Sequence, residues 1–234
     1  MALLGTIVNS ALIIIGSLIG LCLSNISESM KNSILKGIGL TVMVLGLQMA
    51  LQTSNFLLII ISLVIGIVIG EVLDLDGKLN QAGKWLELKI GNRFKGQIAQ
   101  GFISGTLIFV IGAMAILGAL DSGIRNNHEI LYTKGFIDGF TAIILTTTLG
   151  IGVIFSSVSV FIYQGTIALF ATFIDSLIPN DLMKLLISEI TAIGGIMIVA
   201  IGLNLVEITK IKVANFLPGI LVIIAIVPFI YYLT

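Results

Sequence analysis

Uncharged apolar stretches, separated by short polar segments, occupy most of this sequence. They cover residues 1–27, 37–70, 96–120, 139–174, 190–206 and 213–234. A helix that crosses a bilayer needs about 20 predominantly apolar residues, whereas stretches of about 10–14 are typical of buried helices in soluble proteins. The pattern therefore predicts an all-α, polytopic membrane protein. The composition agrees, with 57% hydrophobic and 10% charged residues.

Two of the stretches are too long for one helix, and each contains a polar interruption. Residues 37–70 are interrupted at 52–55, and residues 139–174 are interrupted at 156–159 and at Gln164. Splitting both predicts a transmembrane helical bundle of about eight spans, or seven if residues 135–178 hold one span and a re-entrant segment. The predicted spans are 5–22, 33–51, 56–73, 97–120, 135–155, 160–178, 187–206 and 214–233.

Lysine and arginine residues are distributed unevenly between the two sets of alternate loops. Nine fall on one side of the membrane and three on the other. The larger set comprises Lys31, Lys36, Lys78, Lys84, Lys89, Arg93, Lys95, Lys210 and Lys212, and the smaller set comprises Arg125, Lys134 and Lys184. Because basic loops are retained in the cytoplasm, this distribution predicts that both termini are extracytoplasmic.

The longest loop, residues 74–95, has a helical pattern of its own. Leu75, Leu79, Ala82, Leu86 and Ile90 recur at spacings of three and four, and charged residues lie elsewhere around the helix. This periodicity predicts an amphipathic linker helix on the cytoplasmic membrane surface. A solvated helix that only connects the two halves of the chain is the alternative.

Short motifs recur in the same order in both halves of this single integral membrane domain, residues 1–234. GTI (5–7) returns at 165–167, GLQM (46–49) returns as GLNL (202–205), and NFL (55–57) returns at 215–217. These matches relate a first three-span repeat, residues 5–73, to a second, residues 160–233. GFISG (101–105) and GFIDG (135–139) likewise relate the two spans of the central pair, residues 97–155.

The second copy begins five spans after the first, so the two copies have opposite orientations in the membrane. The sequence thus predicts an inverted-topology internal repeat, the architecture of alternating-access transporters and of some channels, with the binding site where the repeats meet. Chance similarity between glycine-rich apolar helices is the alternative.

Glycines and small polar residues concentrate in the fourth and fifth predicted spans. The fourth contains Gly112, Met114 and Gly118 and is followed directly by Asp121, and the fifth contains Thr146, Thr147, Thr148, Gly150 and Gly152. Such residues permit a helix to unwind, and unwound backbone can bind an ion or a polar solute. Tight helix packing is the alternative. The threonines are the preferred polar site in this region.

Ionisable and amide residues inside predicted spans are further candidates, because such groups are costly in a bilayer. Asp138 is the strongest, although a helix-start acid next to Lys134 would explain it too. The amides are Asn9, Gln48, Gln164 and Asn204, of which Gln48 and Asn204 occupy equivalent positions of the repeat and could form a pair along a pathway. Glu189 and Glu207 are expected to mark the ends of the seventh span.

Several function classes lack support in the sequence. A net charge of zero gives no argument for a nucleic-acid partner, no phosphate-binding loop motif is present, and the single histidine, His128, is expected in a loop. No set of residues indicates a metal or another cofactor. We therefore expect a transporter or channel for a small solute or ion in the lipid bilayer, and not an enzyme. The alternatives are a non-catalytic subunit or scaffold of a membrane complex and an intramembrane enzyme, and exposed small-residue faces would suit a homodimer.

The strings GAMAILGALDSG, KGFIDGF, LGIGVIFSS and YQG, with GTIVNS near the start, carry a family resemblance. The sequence resembles the bacterial membrane family catalogued as domain of unknown function 554, also called YdfK- or YqgA-like. The resemblance implies a multi-pass protein of the bacterial cytoplasmic (inner) membrane and brings no substrate. The matching positions, which carry no assigned roles, are Asn9, Gly112, Met114, Gly118, Asp138, Gly150, Gly152, Ser156, Gln164 and Gly165.

Overall fold

The computed structural model describes residues 1–23, 27–90 and 98–233, and within these ranges the chain forms ten α-helices and no strand. The helices are α1 (Leu4–Cys22), α2 (Glu28–Ala50), α3 (Phe56–Leu73), α4 (Leu75–Ile90), α5 (Ile98–Val110), α6 (Ala113–Arg125), α7 (Glu129–Leu149), α8 (Ser156–Leu177), α9 (Asn180–Leu205) and α10 (Pro218–Tyr231). Two 3-10 helices, Gly150–Phe155 and Val213–Phe216, lie before α8 and α10. The linker helix predicted at 74–95 is seen as α4, and its last residues, with Arg93 and Lys95, lie outside the described residues.

The protein is a polytopic helical bundle, as the sequence predicts. In the described part of the chain, six helical stretches are long and apolar enough to cross a bilayer, and the bent pair α5–α6 adds a seventh if it counts as one span. α3 has the predicted bounds, whereas α9 begins at Asn180 instead of residue 187. Val64, Val68 and Val72 lie on one face of α3 and are 57%, 59% and 80% exposed. An apolar face of this kind suits contact with lipid.

One of the six stretches, Glu129–Leu177, contains both α7 and α8. As one straight helix its 49 residues would extend about 73 Å, more than twice the thickness of a bilayer core. α7 is antiparallel to α5–α6, whereas α8 is parallel to them. The chain therefore reverses its direction at the 3-10 helix between α7 and α8. Four close approaches define these directions: Gly101 to Leu149 and Gly118 to Leu131 for α7, and Gly105 to Ser156 and Gly123 to Ala168 for α8. α7 and α8 have 21 and 22 residues, so each has about the length of one span.

The fourth predicted span is a broken helix. α5 ends at Val110, α6 begins at Ala113, and the two axes differ in direction by 62°. Gly112, between them, has a φ of +136°, a backbone conformation that favours glycine because it has no Cβ atom. The glycine therefore permits a break where an apolar run alone would predict a continuous helix.

The helices form two compact units. The first contains Met1–Ile38, Asn80–Val110 and Met114–Ile174. In it, α1 and α7 pack in parallel, with Gly5 against Leu131 and Gly16 directly on the backbone of Gly139. Small residues at these positions let the two backbones approach closely, which is how helices pack in a bilayer without a hydrophobic driving force.

The second unit contains Gly39–Leu79, Ile111–Ala113 and Asp175–Thr234. In it, α2 and α9 are antiparallel and touch through two glycines on each helix. Gly39 lies against Gly202, and Gly46 lies against Gly195, so the two contacts are reciprocal. α3 packs along α10 in the same unit.

Candidate functional site

A buried ion pair lies on α7, inside the first unit. The Lys134 ammonium is 2.7 Å from Asp138 Oδ2 and 2.9 Å from Oδ1, and the two side chains are only 8% and 5% exposed. Their spacing of four residues places them on successive turns of one helix face. Lys134, which the sequence analysis assigned to a loop, is thus an interior residue of α7 and the partner of the strongest acidic candidate.

Two amide side chains extend this pair into a network of three helices. Asn9 of α1 donates through Nδ2 to Gln164 Oε1 of α8 at 3.2 Å, and both side chains are fully buried. Asn9 also lies next to the Asp138 carboxylate. Asn9, Lys134, Asp138 and Gln164 are called the central cluster below. Three of its four members are candidates from the sequence.

Glycines next to the cluster residues allow this arrangement. A Cβ atom on Gly135 would lie 3.1 Å from the Cα atom of Asn9, which is tighter than ordinary contact, so the absence of a side chain lets α1 approach α7. A Cβ atom on Gly165 would meet Leu3 at 3.5 Å and Thr6 at 3.9 Å, which is ordinary van der Waals contact. A methyl group would thus fit at position 165.

Four polar atoms at or near the cluster have no hydrogen-bond partner among the described residues. They are Thr6 Oγ1, Asn9 Oδ1, Ser10 Oγ and Gln164 Nε2. Thr6, Asn9 and Ser10 are one helical turn or less apart on α1, and all are buried. Buried polar groups are nearly always hydrogen-bonded in proteins, so unpaired ones in a native structure require an explanation. These atoms give the cluster unused capacity to bind a polar ligand.

The threonines preferred in the sequence analysis lie away from the cluster. Thr146 is eight residues beyond Asp138, or about 12 Å along the axis of α7. Thr147 and Thr148 donate to backbone carbonyl oxygens of their own helix, whereas Thr146 is fully buried and its hydroxyl has no partner in the described part of the chain. Gly150 follows with a φ of +73°, and there the chain leaves α-helical geometry.

The remaining candidates of the first unit have packing or surface roles. Gly118 lies against Leu131, and Gly152 lies against the backbone of Ile98. The Ser156 hydroxyl donates to the Val153 carbonyl at 2.6 Å. Met114 is 37% exposed, and Asp121 is 3.5 Å from Arg125 near the end of α6.

The candidates of the second unit lie at the surface, in a loop contact and at the helix break. Gln48 is exposed. Asn204 holds the loop that follows α9: it accepts hydrogen bonds from the Ile211 amide and the Thr209 hydroxyl and donates to the Ile211 carbonyl, each at 2.8 Å. Gly112 provides the break between α5 and α6.

Glu189 is a buried carboxylate that joins α9 to the segment between α2 and α3. α9 begins at Asn180, so Glu189 lies inside this helix, and its side chain is fully buried. Its Oε1 atom accepts from the Ser54 amide at 3.0 Å and the Ser54 hydroxyl at 2.9 Å, and Oε2 accepts from the Thr53 hydroxyl. Two features of the sequence could have indicated this contact. Residues 52–55 are polar, and Glu189 has no lysine three or four residues away with which to pair.

Comparison with known proteins identifies the family. The sequence profile described as protein of unknown function (DUF554) matches residues 4–228. The chain belongs to this family. The resemblance drawn from the motifs is thereby confirmed, over nearly the whole chain.

Two curated relatives are similar over most of their lengths. One is the uncharacterized membrane protein YdfK of Bacillus subtilis (strain 168), 34% identical over 224 residues that cover 93% of each chain. The other is the uncharacterized protein YqgA of Escherichia coli (strain K12), 28% identical over 223 residues, again 93% of each chain. No solved structure matches this chain. The name of the first relative agrees with the membrane assignment.

Proposed function

We propose that this protein transports a small solute or ion across the bacterial cytoplasmic membrane, as a transporter or channel, and that the central cluster is its binding site. One observation carries the proposal. An ion pair and two amides lie buried between α1, α7 and α8, and beside them are polar atoms without partners among the described residues.

The energetic cost of the cluster supports a role in binding. Ionisable residues inside membrane spans are expensive and commonly mark substrate or ion pathways. Each buried polar atom without a hydrogen bond costs about 1–3 kcal/mol. A cluster that served only to join helices would be expected to satisfy its own donors and acceptors.

The helix breaks support transport over a static role. Transporter sites are commonly formed where helices are discontinuous. The 62° bend at Gly112 and the 3-10 helix after Gly150 are two such interruptions in the central pair of spans.

The reciprocal glycine contacts of the second unit support the inverted repeat. The offset of 156 residues that relates GLQM to GLNL also relates Gly39 to Gly195 and Gly46 to Gly202. When each glycine is exchanged for its counterpart 156 positions away, the contact of Gly39 with Gly202 is converted into the contact of Gly195 with Gly46. The structure contains both contacts. A pseudo-two-fold axis between α2 and α9 accounts for this exchange.

The geometry of the possible nucleophile supports a non-enzymatic function. Ser122 Oγ is 2.7 Å from His128 Nδ1, but the hydroxyl donates its proton to the Ala2 carbonyl, also at 2.7 Å. Nδ1 is then the donor to Ser122 and not the base that would activate it. Asp121 and Asp138 each pair with their own cation, Arg125 and Lys134, instead of with one another.

The proposed orientation has both termini outside the cytoplasm. The distribution of basic residues supports it more strongly once Lys134 is set aside as a buried and paired residue, because only Arg125 and Lys184 then remain on the extracytoplasmic side.

Solute flux into proteoliposomes tests the proposal. Purified protein is challenged with inorganic ions, small carboxylates, amines and amino acids, and both charge movement and uptake of labelled solutes are recorded. We expect saturable flux of at least one solute, lost in the double variant Lys134→Met/Asp138→Leu. The matched control Asp181→Asn/Lys184→Gln removes an exposed ion pair and should keep the flux. No flux of any solute by folded protein, together with a stoichiometric partner that co-purifies, would favour the subunit or scaffold alternative.

A further inference from the structure

The charges of the central cluster cancel, which restricts the ligands that it can accept. Lys134 and Asp138 are both buried and each is the other's charged partner. A ligand with a single charge would pair with one of them and leave the other buried without a counter-charge, which is strongly unfavourable. A ligand with one charge of each sign avoids this cost.

The unpaired atoms of the cluster complement a ligand with two ends. A primary ammonium group has three donors and a carboxylate only acceptors. Gln164 Nε2 is an unpaired donor, and Asn9 Oδ1 and Thr6 Oγ1 are unpaired acceptors in the described part of the chain. With the two charged residues, the cluster thus has donors for a carboxylate and acceptors for an ammonium.

We propose that the central cluster binds a small zwitterion, a solute with one primary ammonium and one carboxylate group, such as a short amino acid. The inference rests on the proposed function, since it assigns a substrate class to the same site. The ligand carboxylate takes its hydrogen bonds from Lys134 and Gln164. The ligand ammonium donates to Asp138, to Asn9 Oδ1 and to the hydroxyl of Thr6.

Binding exchanges one buried ion pair for two. The ligand carboxylate replaces Asp138 as the partner of Lys134, and the ligand ammonium replaces Lys134 as the partner of Asp138. When the ligand leaves, Lys134 and Asp138 pair directly, at 2.7 Å. The site is therefore neutral and paired both with and without its ligand, so that neither state exposes an uncompensated charge to the bilayer.

The glycines around the cluster restrict the ligand to a small one. Gly135 lets α1 approach α7 closely, and Leu3 and Thr6 lie within van der Waals distance of a Cβ atom on Gly165, so bulky groups would collide near the cluster. We expect glycine, alanine and β-alanine to fit better than amino acids with large side chains.

The experiment compares solutes that differ only in which charged group they carry. Full-length purified protein is titrated by calorimetry with β-alanine, with propionate, which lacks the ammonium, and with propylamine, which lacks the carboxylate. The same three solutes are then tested for uptake into proteoliposomes. We expect β-alanine to bind at least about ten-fold more tightly than either single-charged analogue, because only β-alanine leaves no buried charge unpaired.

Two variants connect the preference to the cluster. Lys134→Met/Asp138→Leu should abolish β-alanine binding, whereas the exposed-pair control Asp181→Asn/Lys184→Gln should bind as the wild type does. Gln164→Leu keeps both charges and should lower the affinity for β-alanine about ten-fold, because it removes one donor to the ligand carboxylate. Together they keep the inference testable if one of them fails to fold.

The outcomes separate this inference from the proposed function. If propionate or propylamine binds as tightly as β-alanine or more tightly, the inference of a zwitterionic ligand is overturned. Transport of either analogue would still support the proposed function. Binding of β-alanine that survives Lys134→Met/Asp138→Leu also overturns the inference. Binding of β-alanine at the cluster without flux of any solute supports the inference and overturns transport.

Discussion

The side-chain nitrogen Nδ2 of Asn9 lies 3.2 Å from Oε1 of Gln164, although 155 positions separate the two residues in the chain. This hydrogen bond joins the first helix to α8 inside the first unit, and Asn9 also contacts Asp138 on α7. One short side chain thus connects three helices, and the bond is a direct target for measurement.

A double-mutant cycle should detect this bond. Asn9→Leu and Gln164→Leu each leave a buried amide group without its partner, whereas the double variant removes both. We expect the two single losses of unfolding free energy to exceed, in sum, the loss in the double variant by about 0.6 kcal/mol, the average for interhelical hydrogen bonds in membranes. Reversible unfolding in mixed detergent measures the four values. Strict additivity would contradict the bond.

Neutralising one member of the buried ion pair should destabilise the protein more than removing both. Asp138→Asn leaves the Lys134 ammonium buried without a counter-charge, and breaking a buried pair in this way costs about 3–5 kcal/mol. Lys134→Met/Asp138→Leu replaces the pair by apolar side chains, and its unfolding free energy should be close to that of the wild type. Equal unfolding free energies for Asp138→Asn and for the double variant would be inconsistent with a buried ion pair.

Glycine-to-alanine substitutions should separate close helix contacts from open positions. A Cβ atom at Gly16 collides with the backbone carbonyl of Gly139, whereas one at Gly37 has nothing within 4 Å. We expect Gly16→Ala to cost about 1–3 kcal/mol of unfolding free energy, as overpacking does. Gly37→Ala lies in a helix and should be neutral or stabilising by up to about 1 kcal/mol. Thermal unfolding of both variants gives the comparison.

Removing the Glu189 carboxylate should loosen the connection between α2 and α3. Glu189→Leu leaves the donors of Thr53 and Ser54 unpaired, and hydrogen bonds to charged groups contribute about 1.5–3 kcal/mol each. We expect a lower unfolding free energy and faster proteolysis near residues 51–55. Asp181→Leu, on the same helix but at an exposed carboxylate, is the control. A smaller effect for Glu189→Leu than for Asp181→Leu would argue against the buried contact.

Cysteine labelling in intact cells tests the orientation. The native Cys22 is exposed at the end of α1, on the proposed cytoplasmic side, and should resist a membrane-impermeant maleimide. Asn127→Cys in a Cys22→Ser background lies between α6 and α7, on the opposite side, and should be labelled. The reverse pattern would place both termini in the cytoplasm.

The sequence predicts the helices well because each depends on a local property. α3 matches its predicted bounds, since an apolar run of bilayer length ends at polar residues on both sides. Unwinding at Gly112 and Gly150 was one of two interpretations of the glycines in these apolar runs, and at both positions φ is positive. These features require no knowledge of which helices are neighbours.

The polar contacts were only partly predictable, because they depend on pairing. Asp138 and Asn9 were candidates by residue type. Lys134 was placed in a loop, because a span prediction counts each lysine as a charged residue and takes no account of a partner of opposite charge. Its spacing of four from Asp138 is compatible with an interior ion pair, which the structure contains. The contacts of Glu189 were not predictable for the same reason, as its partners Thr53 and Ser54 are remote in the sequence.

The parallel packing of α1 on α7 has a consequence for how the protein is made. Leu131 and Gly139, which cover Gly5 and Gly16, are synthesised more than a hundred residues after α1. Until then, the face of α1 that carries Asn9 is not covered by α7 or α8. Burial of that polar face therefore follows the synthesis of α7, so the first unit can be assembled only after more than half of the chain has been translated.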